Sequence, residues 1–401
     1  MTERLKAPVE PAVLAWGRKS AALSLAEAAR KIGVDEARLE AWEAGTDAPT
    51  IPQLRKLATA YKRPLAVFFL PEPPNELGFS ALRDFRRLRP DQRQPFSPQL
   101  AYEIRAAQER RAVALGVFET MGTAPPAFDL TARVSDDPET VARRVRETLG
   151  ITLAQQTGWR DPAKGFRAWR EAIEGAGVLV FVLGGAHHQV PLEEVRGFAL
   201  ADRPLPVIVV NGQDRPNGRT FTLLHELGHV LLGQTAIAND PEPDARLPAA
   251  ARRIEVFCNR LAAAALMPRD ALLAEPLLAA KQGQPAPWSD EEIEALANRY
   301  AVSREALLLR LVEVGRADQA LYQSKRAEYE RQYAAEAEAA NEGGFAPYRY
   351  QVLSHLGRGF ARLILQGYYQ NRLSLSAVAG YLGVQAKHVP ALEQAAFTRA
   401  S

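Results

Sequence analysis

The N-terminal part of the chain alternates short apolar-faced segments with glycine and polar breaks, which predicts a bundle of short helices. Ser24 begins one helix, Glu27 follows at the spacing of a capping box, and Gly33 ends it. A second helix is predicted over 35–44 and a third over 50–61. Two short helices joined at a glycine inside such a bundle predict helix-turn-helix geometry.

Further along, three short β-branched runs interrupt the helical pattern and predict a small buried sheet. They occupy residues 178–183, 195–200 and 205–211. Pro216-Asn217-Gly218 predicts a turn before a helix that begins near Thr220. The other segments with helical periodicity are about 98–121, 138–150, 162–176 and, from about 246, the rest of the chain.

A weak internal repeat relates the two ends of the chain. Residues 23–43 and 373–393 share a Leu-Ser-Leu opening, a Gly-Val pair and a Glu in the same register. The C-terminal region is therefore a candidate for a second helix-turn-helix unit. The alternative is that unrelated short amphipathic helices share this pattern.

Length and composition narrow the function classes. With 401 residues, of which 47% are hydrophobic and 24% charged, the chain is expected to form two or three globular domains. Lys and Arg number 50 and Asp and Glu 47, so the net charge of +3 gives no general attraction to nucleic acid. Any contact with DNA must come from a local patch.

Cysteine content and targeting signals predict the compartment. A single cysteine, Cys258, excludes an internal disulfide and fits a reducing environment. The N-terminus lacks the apolar core of a signal peptide, and the longest apolar runs are too short to span a bilayer. The sequence thus predicts a soluble, cytoplasmic protein without membrane contact.

Over roughly residues 10–72, the predicted helices resemble the XRE/Cro-like helix-turn-helix family. The matching residues are Leu25, Ala29, Gly33, Val34, Leu39, Trp42, Glu43, Gly45, Pro49, Thr50, Leu54, Leu57 and Ala58. The resemblance implies the fold more specifically than it implies DNA binding.

The charge of the predicted recognition helix opposes DNA binding, because residues 35–43 carry four acidic side chains that phosphates repel. The candidate DNA contacts are Arg30, Lys31 and Arg38. The other interpretation is protein docking, either of a helix-turn-helix repressor substrate or of a second copy of the chain in a homodimer. The Arg-rich segment 83–93 is interpreted as an interdomain latch, with a phosphate-binding patch as the alternative.

The strongest chemical signal is His-Glu-Leu-Gly-His over 225–229, inside an apolar helix. Two histidines four residues apart lie on one side of a helix and can bind one cation, with Glu226 beside them. Burying three polar groups without a partner is costly, so a metal is the expected partner. A catalytic zinc site has three protein ligands, and Glu255 on the first turn of an Ala-rich helix is the candidate for the third.

The His-Glu-Leu-Gly-His segment, the later Glu-x-x-x-Asn, the Ala-rich helix and Leu-Met-Pro together resemble the ImmA/IrrE metallopeptidase family over roughly residues 160–315. The resemblance implies metal binding by His225, His229 and Glu255. It also implies that Glu226 is the general base and that Asn259 braces the site. Zn²⁺ is the implied ion, with Mn²⁺ as the alternative.

Cys258 stands where the family usually has a different residue. It is interpreted as a packed core thiol, with a redox switch or an inhibitory ligand as the alternatives. His187 and His188 are candidates for stabilising an oxyanion, and the alternative is a solvated or structural pair.

These residues predict a zinc-dependent endopeptidase in which Glu226 moves the proton between water and the leaving amine. In the resembled family such proteases cleave a helix-turn-helix repressor in stress or mobile-element responses, so the resemblance implies a repressor as the substrate. The alternative functions are a DNA-binding transcription regulator and an antitoxin-like binding module with an idle metal site.

The expected fold class is α+β and mostly helical. The predicted domains are a helix-turn-helix domain (1–75), a linker and helical connector (76–158), a zincin-like metallopeptidase domain with a small sheet (159–315) and a C-terminal helical region (316–401).

Overall fold

A computed structural model of the chain describes residues 5–74, 83–84, 96–159, 161–184, 189–238, 248–281, 287–339 and 347–398. The chain forms two compact units. The first contains the N-terminal helices and the first half of a long helix, through Glu109. The second contains a short strand at Arg83–Asp84 and the chain from Arg110 onward.

The first unit is a helical bundle, as predicted. Its elements are α1 (Pro11–Ser20), α2 (Leu25–Ile32), α3 (Glu36–Glu43), α4 (Ile51–Ala60), a 3₁₀-helix (Leu65–Phe69) and the start of α5 (Pro98–Met121). The predicted capping box is confirmed, because the Ser24 hydroxyl accepts the Glu27 N–H and the Glu27 carboxylate accepts the Ser24 N–H. Gly33 then ends α2 in the left-handed conformation, with a φ of 73°.

An apolar core and one ion pair join the helices of this unit. Leu39 and Trp42 of α3 are buried together with Leu54 and Leu57 of α4. Arg18 of α1 donates two hydrogen bonds to the Glu43 carboxylate, at 2.8 and 2.9 Å. This fork ties α1 to the end of α3, so the charge of Arg18 is neutralised within the bundle.

The second unit begins with β1 (Arg83–Asp84) and is built around one sheet. Its next elements are α6 (Pro138–Leu149), α7 (Leu153–Gly158), α8 (Pro162–Gly175), β2 (Leu179–Leu183), β3 (Gly197–Leu200), β4 (Val207–Asn211), α9 (Pro216–Leu231), β5 (Ala236–Ala238) and α10 (Ala249–Leu266). The strand order is β1-β5-β3-β4-β2. Strand β3 runs antiparallel to both neighbours, while β2 pairs with β4 and β1 with β5 in parallel.

The structure differs from the sequence-based expectation at three places in this region. Arg83 and Asp84 pair with Ala236 and Ile237 at the sheet edge, although the sequence indicated a linker there. Strand β5 was not predicted. Helix α9 begins at Pro216 instead of near Thr220, because proline suits the first helical position, where an N–H would have no partner in the helix.

The remaining elements are helical, as predicted. They are α11 (Arg269–Leu273), α12 (Pro276–Ala280), α13 (Asp290–Tyr300), α14 (Arg304–Glu313), α15 (Gln319–Ala339), α16 (Tyr348–Leu356), α17 (Arg358–Tyr369), α18 (Leu375–Tyr381), a 3₁₀-helix (Ala386–His388) and α19 (Val389–Phe397). His355 of α16 donates from Nδ1 to the Val182 carbonyl of β2 at 2.6 Å, which fixes the C-terminal helices to the sheet. Among the described helices, none is both long enough and apolar enough to cross a bilayer.

Candidate metal centre

Helix α9 passes through the core of the second unit. Each residue from Thr222 to Leu231 is buried, and the leucines and Val230 of this stretch pack in the apolar cluster around the sheet. The burial follows from the apolar sequence of the helix, which leaves three titratable side chains inside the core. Those three are His225, Glu226 and His229.

Two of these side chains meet a carboxylate from the neighbouring helix α10. The Nε2 atoms of His225 and His229 lie 3.1 Å apart. They lie 3.4 and 3.3 Å, respectively, from the two carboxylate oxygens of Glu255. All three side chains are buried, and each turns a metal-binding atom toward the others.

These separations fit a tetrahedral ion. Ligand atoms at about 2.0–2.2 Å from a tetrahedral Zn²⁺ lie roughly 3.3–3.6 Å from one another. The three measured distances of 3.1, 3.3 and 3.4 Å are close to that range. Two imidazoles and one carboxylate are also a donor set typical of catalytic zinc sites, which keep one position open.

Asn259 orients the first imidazole. It lies one turn after Glu255 on α10, and its Oδ1 accepts a hydrogen bond from Nδ1 of His225 at 2.7 Å. Since Nδ1 carries the proton in this contact, the lone pair of Nε2 points to the cluster. An outer hydrogen bond of this kind fixes the tautomer that a metal requires.

Burial and mutual contact set the proton affinities of the cluster. Burial raises the pKa of Glu255, but the hydrogen bonds and charges of the two histidines outweigh burial and hold the pKa at about 2. Burial lowers the pKa of His229, whereas at His225 the contact with Glu255 reverses the effect of burial and raises the pKa. Glu255 is therefore anionic at neutral pH, as a metal ligand must be.

Glu226 differs from Glu255 in its surroundings. Its side chain is fully buried, and within the described part of the chain neither carboxylate oxygen has a hydrogen-bond partner. Burial raises the pKa of Glu226 to about 8, against a smaller opposing effect of His225. The carboxyl group thus holds or releases a proton near neutral pH, which is the property a general base needs.

Two glycines permit close packing around the site, one against Glu226 and one against Cys258. Neither glycine was assigned a role from the sequence. A Cβ atom on Gly197 of β3 would lie 3.1 Å from Cγ of Glu226 and 2.6 Å from Cγ2 of Thr222. A Cβ atom on Gly228 of α9 would lie 2.9 Å from Sγ of Cys258 on α10. A glycine inside a strand or a buried helix is the sequence signal for such close approach.

Comparison with known proteins agrees with this geometry. Residues 176–312 match the family model of the M78 peptidases, described as an IrrE N-terminal-like domain, and residues 14–68 match a helix-turn-helix model. Residues 14–68 are thus similar to an XRE-type helix-turn-helix domain, and residues 176–312 to an IrrE-like domain. The radiation response metalloprotease IrrE of Deinococcus radiodurans is 35% identical over 108 residues. That alignment covers 27% of this chain and 31% of the relative, so the chain spans less than a third of the relative's length.

Within the IrrE-like domain, Cys258 is fully buried, and burial raises its pKa well above the ordinary value for a thiol. This environment agrees with the interpretation of a packed core thiol. The oxyanion candidates His187 and His188 lie outside the described residues, as does most of the Arg-rich segment 83–93.

In the helix-turn-helix domain, the predicted DNA contacts are exposed but lie on different helices. Arg30 and Lys31 occupy the last turn of α2. Arg38 is on α3, where its guanidinium lies over the Trp42 indole at 5.7 Å. Contact of these residues with DNA, the homodimer and the four domain bounds stay predictions.

Proposed function

We propose that the chain is a metal-dependent endopeptidase in which His225, His229 and Glu255 bind a zinc-class ion and Glu226 is the general base. The observation that carries the proposal is the convergence of two Nε2 atoms and the Glu255 carboxylate within 3.1–3.4 Å, next to a buried acid whose oxygens have no described partner. We place the protein in the cytoplasm.

The chemistry divides between the ion and the chain. A bound zinc ion supplies Lewis acidity, which polarises a peptide carbonyl and makes water acidic enough to attack at neutral pH. Glu226 accepts the proton from the attacking water and delivers it to the amine nitrogen as the C–N bond breaks. Asn259 keeps the His225 ring in the tautomer that leaves Nε2 available. Mn²⁺ is the alternative ion.

For the substrate, we propose a helix-turn-helix transcriptional repressor, cleaved in a response to stress or mobile elements. Support comes from the resemblance of the site motifs to the ImmA/IrrE family and from the name of the Deinococcus relative, a radiation response metalloprotease. A DNA-binding regulator or antitoxin-like module with an idle metal site is the weaker alternative. An idle site has no use for Glu226, whose unpartnered carboxyl group lowers stability.

The test is a cleavage assay with matched variants. Zinc-loaded wild-type protein is incubated with helix-turn-helix repressors encoded near its gene, and the fragments are identified by mass spectrometry. Wild type should cleave one repressor at a defined bond, and Glu226→Gln should bind zinc normally but fail to cleave. His229→Ala should lose both zinc and cleavage. Equal cleavage by wild type and Glu226→Gln would exclude Glu226 as the base. If the protein cleaves other peptides but no repressor, only the proposed substrate is excluded.

A further inference from the structure

The C-terminal helices repeat the helix-turn-helix pattern of the N-terminal domain. Ser374 lies 350 positions after Ser24, and its hydroxyl accepts the N–H of Ala377 at 3.1 Å, as the Ser24 hydroxyl accepts that of Glu27 at 3.2 Å. Gly383 follows the C-cap of α18 in the left-handed conformation, with a φ of 63° against 73° at Gly33. The start of α18 and the glycine turn after it therefore lie at the same sequence offset from the corresponding features of α2.

The buried positions recur in the same register. The paired buried residues are Leu14 and Ile364, Ala28 and Val378, Ala29 and Ala379, Ile32 and Leu382, Leu39 and Val389, and Trp42 and Leu392. Six buried positions and a glycine turn at one constant offset favour a repeated unit over a chance similarity of short amphipathic helices. Residues 358–397, here named the C-terminal repeat, therefore follow the helix-turn-helix pattern of the N-terminal domain.

The two units differ in charge. From Glu10 to Tyr61 the chain has seven acidic and seven basic residues, whereas residues 347–398 have five basic residues and one acidic residue. The acidic one, Glu393, accepts a hydrogen bond from the Tyr369 hydroxyl. The N-terminal unit is thus neutral by this count, whereas residues 347–398 carry a net charge of +4.

The largest chemical change is at the start of the third helix, where helix-turn-helix proteins place the residues that contact base edges. The N-terminal unit has Asp35 and Glu36 there, whereas the C-terminal repeat has Gln385 and Ala386 at the 3₁₀-helix (Ala386–His388) that leads into α19. Lys387 follows, and all three residues of the repeat are exposed. Gln is a hydrogen-bond partner of adenine in the major groove and Lys binds phosphates, whereas phosphates repel Asp and Glu.

Three of the five cations are exposed, namely Arg349, Arg372 and Lys387. The other two, Arg358 and Arg362, donate to the Thr398 and Ala396 carbonyls near the end of α19. The Tyr348 ring contacts the His388 ring, with centroids 5.2 Å apart. This contact brings the start of α16, with Arg349, next to the start of the third helix of the repeat.

We propose that the C-terminal repeat binds duplex DNA. The start of its third helix enters the major groove, and Arg349, Arg372 and Lys387 contact phosphates. The N-terminal unit, with its acidic third helix, is left for protein contacts. This inference is independent of the peptidase activity, because none of its residues belongs to the metal centre.

The test measures binding of the full chain to a short mixed-sequence DNA duplex by fluorescence anisotropy over a range of salt concentrations. If three cations each neutralise one phosphate, the slope of log affinity against log salt is about −2.7, or about a forty-fold loss for a fourfold rise in salt. The double variant Arg372→Gln/Lys387→Gln should reduce the magnitude of this slope by about 1.8. The thermal midpoint of unfolding is recorded for each variant, because the substituted residues are exposed and should leave it unchanged.

Two matched variants serve as controls. Arg144→Gln/Lys164→Gln removes the same charge from exposed positions on α6 and α8 and should keep the wild-type slope. Arg30→Gln/Lys31→Gln removes it from the candidate DNA contacts of the N-terminal unit, and a reduced slope in this variant would assign the DNA contact to that unit instead. The proposal is overturned if the duplex does not bind at low salt, or if either matched variant reduces the slope as much as the C-terminal variant does. It is also overturned if the C-terminal variant changes only the oligomeric state. That result would identify a second copy of the chain as the partner.

Discussion

Gly228 is expected to control the metal site through the spacing of two helices. It lies between His225 and His229 on α9, opposite Cys258, which is one turn after Glu255 on α10. A Cβ atom on Gly228 would lie 2.9 Å from Sγ and 3.2 Å from Cα of Cys258. Because carbon atoms pack at about 3.5–4.0 Å, Gly228→Ala must push α10 away by roughly 0.3–0.8 Å.

This displacement is larger than a metal site tolerates, since ligand distances must be correct to about 0.2 Å. We expect zinc affinity to fall about 10–100-fold, comparable with the loss of an orienting contact. Overpacking destabilises a core by about 1–3 kcal/mol, and replacing a helical glycine by alanine returns about 1 kcal/mol. The metal-free protein should therefore lose only about 0–2 kcal/mol of its free energy of unfolding.

The assay is competition for zinc with a chromogenic chelator, together with denaturant unfolding of the metal-free protein. Gly116→Ala on α5 is the matched control, because a Cβ atom there has no neighbour within 4 Å in the described structure. It should stabilise the protein slightly and leave zinc affinity unchanged. Adding Cys258→Ala to Gly228→Ala should restore part of the affinity. Wild-type zinc affinity in the single variant Gly228→Ala would refute the argument.

Three further predictions concern neighbours of the site. Asn259→Ala should weaken zinc binding about 10–100-fold by chelator competition, while Asn259→Asp, which keeps an acceptor oxygen, should retain most of it; equal losses would contradict the orienting role. Gly197→Ala should destabilise the protein by about 1–3 kcal/mol in denaturant unfolding, because the new Cβ atom would crowd Glu226 and Thr222. It should also lower kcat while zinc is retained. An unchanged kcat would show that catalysis does not need the close approach of the β3 backbone to Glu226. Because burial raises the pKa of Cys258, its thiol should react slowly with an aromatic disulfide at pH 8 in the native protein and rapidly after unfolding, and fast native labelling would reject a packed core thiol.

The sequence predicted those features that depend on local chemistry. Ser24, Glu27 and Gly33 specify a helix start and end through contacts within one turn, so the capping box was predicted from spacing alone. His225 and His229 share a helix face for the same local reason. The sequence alone made Glu255 a candidate ligand, and the family resemblance supported that choice, because the contact of Glu255 with the histidines depends on how α10 packs against α9.

Features that depend on distant partners escaped prediction. Strand β1 has only two residues, and it forms because the backbone of Ala236 and Ile237 pairs with it at the edge of the sheet. These partners lie about 150 positions further along the chain, so no local pattern indicates the strand. Pro216-Asn217-Gly218 has the composition of a turn, yet the segment begins a helix whose apolar face is buried. The roles of Gly197 and Gly228 follow from which atoms face them, and a sequence does not contain that information.

The central claim is that His225, His229 and Glu255 bind the catalytic ion, and X-ray absorption at the zinc edge tests it most directly. For zinc-loaded wild type we expect two imidazole nitrogens and a carboxylate oxygen at about 2.0–2.2 Å, with no sulfur in the coordination shell. Glu255→Ala should lose the carboxylate contribution and keep both imidazoles. A sulfur scatterer at about 2.3 Å, which would implicate Cys258, or a spectrum that Glu255→Ala leaves unchanged, would contradict the account.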